Sequence, residues 1–115
     1  MSPLPRAQLL KGTTELLVLA VLEGERLHGY EIAQRIRDGV SAGVSEGALY
    51  PALHRLERRG ALVGTWGESE GGPRRRYYTL TDAGIGELAE ARAEWDRFAA
   101  EIGSMTHAAE KPTRA

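Results

Sequence analysis

A chain of 115 residues is one domain by size, with room for a modest core but not for a large catalytic cleft and a second domain. It has no cysteine, which excludes disulfides and thiolate metal sites; His28, His54 and His107 lie far apart without ligand spacing, so neither a metal nor a cofactor is expected. The net charge of −1 hides an uneven spread, because residues 54–78 hold six arginines against three acids and residues 81–103 hold six acids against two arginines.

Residues 1–5 carry two prolines and read as a loose arm. No secretory leader pattern is visible over residues 1–11, and the longest apolar run, residues 16–22, is far short of a membrane span. The expectation is a soluble, cytoplasmic protein with no membrane partner. Residues 6–23 read as the first helix, with Gly12 a weak point inside it. The run L-L-V-L-A-V-L is apolar all round and should be buried on more than one side. Either a second chain covers the outer side, or the helix runs through the middle of the monomer. In so small a chain the first is expected, since dimerisation adds buried apolar area.

Residues 24–27 read as a turn and residues 28–38 as the second helix, with Ile32, Ala33 and Ile36 inward. A small-residue turn, 39–43, leads into V-S-E-G-A-L-Y-P-A-L-H-R-L-E-R-R-G at 44–60. Ser45 is a good N-cap and Gly60 a good stop. Leu49, Ala52, Leu53 and Leu56 share one helical face, which turns Gly47, Pro51, His54 and Arg58 outward with Tyr50 and Arg55 on the shoulders. Pro51 lies past the first turn, so the helix should begin later than Ser45 or bend. Two short helices joined by a glycine-containing turn form a helix-turn-helix signature. The front of the second suits a polyanion, and a recognition helix for the DNA major groove is expected. A plain surface helix with scattered arginines would look similar on this stretch alone.

Residues 61–68 and 74–80 alternate as strands, joined by a hairpin tip at 69–73. Two strands are marginal alone, so the hairpin should rest on the helices through Leu62, Trp66, Tyr78 and Leu80. Arg74, Arg75 and Arg76 then stay free at a wing, where they can meet phosphates; a solvated charge run is the alternative. Thr81 caps a last helix, 82–102, with Asp82 at the positive end of its dipole. Ile85, Leu88, Arg92, Trp95, Ala99 and Ile102 recur along it as a heptad seam, with Phe98 alongside. Such a helix should pair with the first helix of a second chain. The homodimer contact is therefore expected at Leu16, Leu19, Leu88, Arg92, Trp95, Ala99 and Ile102. Residues 104–115 read as a polar, disordered tail.

Gly43 to Gly47 spells G-x-S-x-G, but no apolar strand precedes it and the chain is too short for a serine hydrolase. An enzyme is not expected.

The order L-H-G-Y-E-I, then G-A-L-Y-P-A-L-H-R-L-E-R-R-G, then W-G-E-x-x-G-G-P-R-R-R-Y-Y-x-L-T, then a terminal helix with a tryptophan, resembles the PadR family of bacterial transcriptional regulators over residues 10–102. The resemblance implies a mainly α fold with a small β-hairpin: a winged helix-turn-helix domain over 1–80, one C-terminal dimerisation helix over 81–103 and a tail over 104–115. It implies a homodimeric repressor on an inverted-repeat operator. Double-stranded DNA contacts would come from Tyr30, Ser45, Gly47, Tyr50, His54, Arg58, Arg74, Arg75 and Arg76. For Tyr30 a core position is the alternative. Some members sense small aromatic molecules near the dimer centre, which would place Trp95 at an effector; the helical seam explains Trp95 without a ligand. The rival reading is a winged helix that binds protein, which would show exposed apolar residues on the front of the 44–60 helix and the wing.

Overall fold

The computed structural model describes residues 12–41, 43–69 and 71–108. Among them, four helices and a three-stranded antiparallel sheet follow the order α1 (Thr14–Val21), β1 (Leu27–His28), α2 (Gly29–Gly39), α3 (Glu46–Arg58), β2 (Leu62–Ser69), β3 (Gly72–Leu80) and α4 (Asp82–Thr106). This is the mainly helical, winged architecture expected from the sequence. The expected arm at 1–5, the first part of the expected first helix at 6–11 and the end of the tail at 109–115 lie outside the described residues.

Helix α1 begins after Gly12, not through it. Gly12 has φ +89°, outside the right-handed helical region, so a helix continuous across it is excluded. Val18, Leu19 and Leu22 are buried, with Leu16, Leu17 and Val21 packed on the same core. One chain thus surrounds much of α1 with α2, α3 and α4, so the second of the two arrangements holds for most of its surface.

Helix α3 follows its sequence pattern closely. Ser45 is its N-cap, and the Ser45 Oγ accepts a hydrogen bond from the Ala48 amide at 3.2 Å. Leu49, Ala52, Leu53 and Leu56 form its buried back. Gly60 ends it with φ +81°. The helix starts at Glu46 and carries Pro51 internally, so a later start is excluded. The amide that Pro51 lacks would have bonded the Gly47 carbonyl; both residues are exposed, and water can satisfy that oxygen.

The sheet order is β1-β3-β2. Strand β1, read from the sequence as the end of a turn and the start of a helix, pairs Leu27 with Tyr78 and His28 with Tyr77. Two residues before a helix are too few for periodicity to register. Leu62 faces Leu80 at the base of the hairpin, where Leu62 is buried and Tyr78 and Leu80 pack on the core. Trp66 does not join them: it is 57% exposed. Four residues of strand carry it about 13 Å beyond Leu62, away from the buried base of the hairpin.

Helix α4 is anchored by its first turn. Thr81 Oγ1 accepts from the Gly84 amide at 3.0 Å and donates to the Gly60 carbonyl at 2.5 Å. Gly84 lies so close to the α3–β2 corner that a Cβ there would sit 2.0 Å from the Ala61 carbonyl oxygen. The helix runs on to Thr106, so residues 104–106, expected in the tail, are helical. The seam also differs. Leu19 and Leu88, expected at a partner interface, are buried in the chain's own core. Arg92 pairs with Glu23 of the same chain at 3.0 Å. Trp95, Ala99 and Ile102 of the expected seam are exposed, with Phe98 alongside, and Met105 extends the stripe by a further three-residue step.

Candidate nucleic-acid interface

The outward row of α3 is as expected: Gly47, Tyr50, His54 and Arg58 are exposed. Tyr50 leans against the start of α2, where a Cβ on Gly29 would be 3.0 Å from its ring; glycine at 29 permits this contact. The α2 N-terminus is closed by a reciprocal cap. The Glu31 amide donates to His28 Nδ1 at 3.3 Å, and the His28 amide donates to Glu31 Oε1 at 3.1 Å. Tyr30 follows at 64% exposure, which removes the core alternative for it. Arg75 Nη1 reaches His28 Nε2 at 3.1 Å. His28, Gly29, Tyr30, Tyr50, Arg75 and Arg76 thereby converge on a cleft of about 260 Å³ between α2, α3 and the wing.

The central arginines divide into two sets. Arg55 donates to Glu15 at 2.7 Å, and Arg59 bridges Glu15 at 2.7 Å and Glu87 of α4. Hydrogen bonds to Glu87 and Glu15 push the Arg59 guanidinium up from its ordinary value. Burial pushes the Glu15 carboxyl up, but the two guanidinium partners outweigh it and hold it below its ordinary value. Arg76 pairs with Glu57 of α3, which raises its pKa likewise, so its guanidinium is not the free wing cation expected. Burial, then the Glu57 charge, raises the Tyr78 hydroxyl. Arg58, Arg74 and Arg75 have no carboxylate partner among the described residues. They lie on the exposed front of α3 and on the wing.

The outer face of the hairpin adds groups the sequence did not flag. The Arg26 guanidinium lies 4.1 Å from the Tyr77 ring centroid, and the His28 ring meets that ring edge-on at 5.4 Å. Gly67 makes room for Tyr77, since a Cβ there would be 2.7 Å from the ring. Arg26 stands in an expected turn, and no spacing rule ties it to Tyr77, 51 residues on.

A second exposed surface lies away from the wing. Trp95 and Phe98 meet edge-on at 6.5 Å. With Leu16 of α1, Ala91 and Glu94 they line a cleft of about 390 Å³. No described helix is long and apolar enough to cross a membrane.

A helix-turn-helix followed by a two-stranded hairpin, with the short β1 ahead of it completing the sheet, defines the winged-helix class. The model of the Transcriptional regulator PadR-like family matches residues 18–90. The Transcriptional regulator Rv3488 of Mycobacterium tuberculosis is 36% identical over 101 residues, covering 86% of this chain and 92% of that protein. A PadR-like transcriptional regulator from Bacillus cereus is 32% identical, covers 86% of this chain and 96% of its own, and superposes with a TM-score of 0.73. A PadR family transcriptional regulator from Eggerthella lenta is 32% identical, with 88% of each chain covered and a TM-score of 0.76. The chain belongs to the PadR-like family of transcriptional regulators.

Proposed function

We propose that this chain is a homodimeric repressor that binds an inverted-repeat operator in duplex DNA. Helix α3 enters the major groove, with Tyr50 and His54 reaching base edges or the nearest phosphates and Arg58 a phosphate. Ser45 and Gly47 bring the N-terminal end of α3 close to the backbone. Arg74 and Arg75 meet the adjoining minor groove or its phosphates. Tyr30 anchors the backbone from the start of α2. The observation that carries this reading is the sorting of the arginines. Glu15, Glu57 and Glu87 hold Arg55, Arg76 and Arg59, while Arg58 on the front of α3 and Arg74 and Arg75 on the wing face solvent without a carboxylate partner among the described residues. Unpaired cations on one face attract a polyanion.

Pairing of two chains rests on the distal half of α4, where Trp95, Ala99 and Ile102, together with Phe98 and Met105, face solvent. Leu16 of α1 flanks them. A second copy would cover this stripe and set two recognition helices about one DNA turn apart. A small aromatic effector would have Trp95 in the adjoining cleft as its stacking partner. Selection of bound duplexes from a random pool, with the solution mass measured in parallel, tests the reading. Enriched palindromes and twice the chain mass are expected. A monomer that enriches no sequence would refute it. The protein-binding alternative calls for exposed apolar residues on the front of α3 and on the wing; the row Gly47, Tyr50, His54, Arg58 supplies no apolar front, whereas the wing does expose Val63 and Trp66.

A further inference from the structure

The exposed indole of Trp66 is unexplained by folding. It shares its hairpin face with Leu62 and Leu80, yet projects beyond the core. Its surroundings are built. Trp66 stands opposite Arg76 in the ladder, and the guanidinium carbons of Arg74 and Arg76 lie 5.8 and 5.6 Å from its ring centroid. Arg76 is held in turn by Glu57 on α3. Gly64 keeps the route open, because a Cβ there would be 2.7 Å from Arg76 Nε. Trp66 is thus fixed on the side of the wing turned toward α3, between one guanidinium tied to that helix and one without a carboxylate partner among the described residues.

We propose that Trp66 is a DNA-contact residue whose indole packs on deoxyribose of the strand lying between α3 and the wing, with Arg74 placed for a flanking phosphate. This rests on the DNA-binding reading above. A helix in a major groove and a hairpin in the next minor groove straddle one backbone strand, so the hairpin face turned to the helix meets that strand's sugars. Deoxyribose is apolar between anionic phosphates, and an indole flanked by guanidinium groups matches that alternation. The contact is sequence-tolerant, and it adds affinity without adding charge neutralisation.

The chain has two tryptophans, so the emission of the wild type minus that of Trp66→Phe isolates Trp66. The probe is a labelled duplex of about 30 base pairs from the selected pool, long enough for two half-sites one turn apart. Its anisotropy reports binding, and acrylamide quenching reports exposure of the indole. At saturation Trp66 should become shielded from acrylamide. Trp66→Ala should weaken binding about ten-fold with the slope of log K against log salt unchanged, since no charge is lost. Trp66→Phe, which keeps a ring, should fall between. Because the side chain lies outside the core, both variants should melt as the wild type does. If anisotropy shows saturation while Trp66 stays as exposed as in the free protein, the indole lies off the DNA and serves a protein partner, which overturns the proposal. A shallower salt slope in Trp66→Ala overturns it too, by showing displaced arginines. If the wild type binds no duplex even at low salt, the DNA-binding reading itself fails, and the contact with it.

Discussion

The front of α3 with its wing and the distal half of α4 are both exposed, yet their chemistry is opposite. The first exposes Arg58, Arg74 and Arg75 together with Tyr30, Tyr50, His54 and the Trp66 indole. The second presents Trp95, Phe98, Ile102 and Met105 on a helix with six acids against two arginines over residues 81–103. A polyanion suits the first and is repelled by the second. An apolar partner suits the second, where acidic neighbours keep nucleic acid away. On the proposed reading, opposite charge on these two surfaces keeps DNA contact apart from self-association.

The largest expected effect is at the joint the two regions share. Gly84→Ala drives a Cβ into the Ala61 carbonyl and should cost roughly 3 kcal/mol, read as a lower melting temperature, with both surfaces displaced. Gly86, two residues on with open space around it, should accept alanine and gain up to about 1 kcal/mol from helix propensity. A silent Gly84→Ala would mean that α4 is not seated on the α3–β2 corner.

Next comes the α4 stripe. Ile102→Asp places a charge in an apolar contact and should weaken dimer association at least ~100-fold by sedimentation, with the melting of the single chain unchanged. Loss of dimer without loss of operator affinity would break the link between the two regions.

The wing variants sharpen the sorting of arginines. Arg74→Ala with Arg75→Ala should lower the slope of log K against log salt by roughly 0.9 per lost phosphate contact. Arg55→Ala, whose charge Glu15 already holds, should leave that slope nearly unchanged. Equal slopes for the two variants would count against the division.

The smallest effect is at Glu15. Its carboxyl titrates below the ordinary value in the fold, so its stabilisation is complete above the unfolded value near 4.5 and is lost as pH falls through the lowered folded value. Glu15→Gln should therefore cost about 1 kcal/mol near neutral pH, and the gap from the wild type should close in acid. A gap that persists there would assign Glu15 a role other than its charge.

Much of this was legible in the order of residues. The α3 face Leu49, Ala52, Leu53, Leu56 follows from helical periodicity, and Ser45 and Gly60 mark its ends by local backbone chemistry. Outward Gly47, Tyr50, His54 and Arg58 follow once the back is assigned. Strand β1, the Arg26–Tyr77 contact and the Glu57–Arg76 pair were not legible, since each joins residues whose separation no local rule connects.

Trp66 and Leu88 show the same boundary from both sides. Alternation put Trp66 with Leu62, and the heptad put Leu88 with Trp95, each correctly as to face. Periodicity gives the direction of a side chain but not what stands there to receive it. Sequence alone determined the long elements other than their outer ends, their apolar faces and the family, because those depend on neighbours a few residues away. Only the tertiary structure decided which arginines are held by carboxylates, that Leu19 and Leu88 belong to the chain's own core and that Trp66 is left in solvent, because those depend on where an element ends relative to the one packed against it.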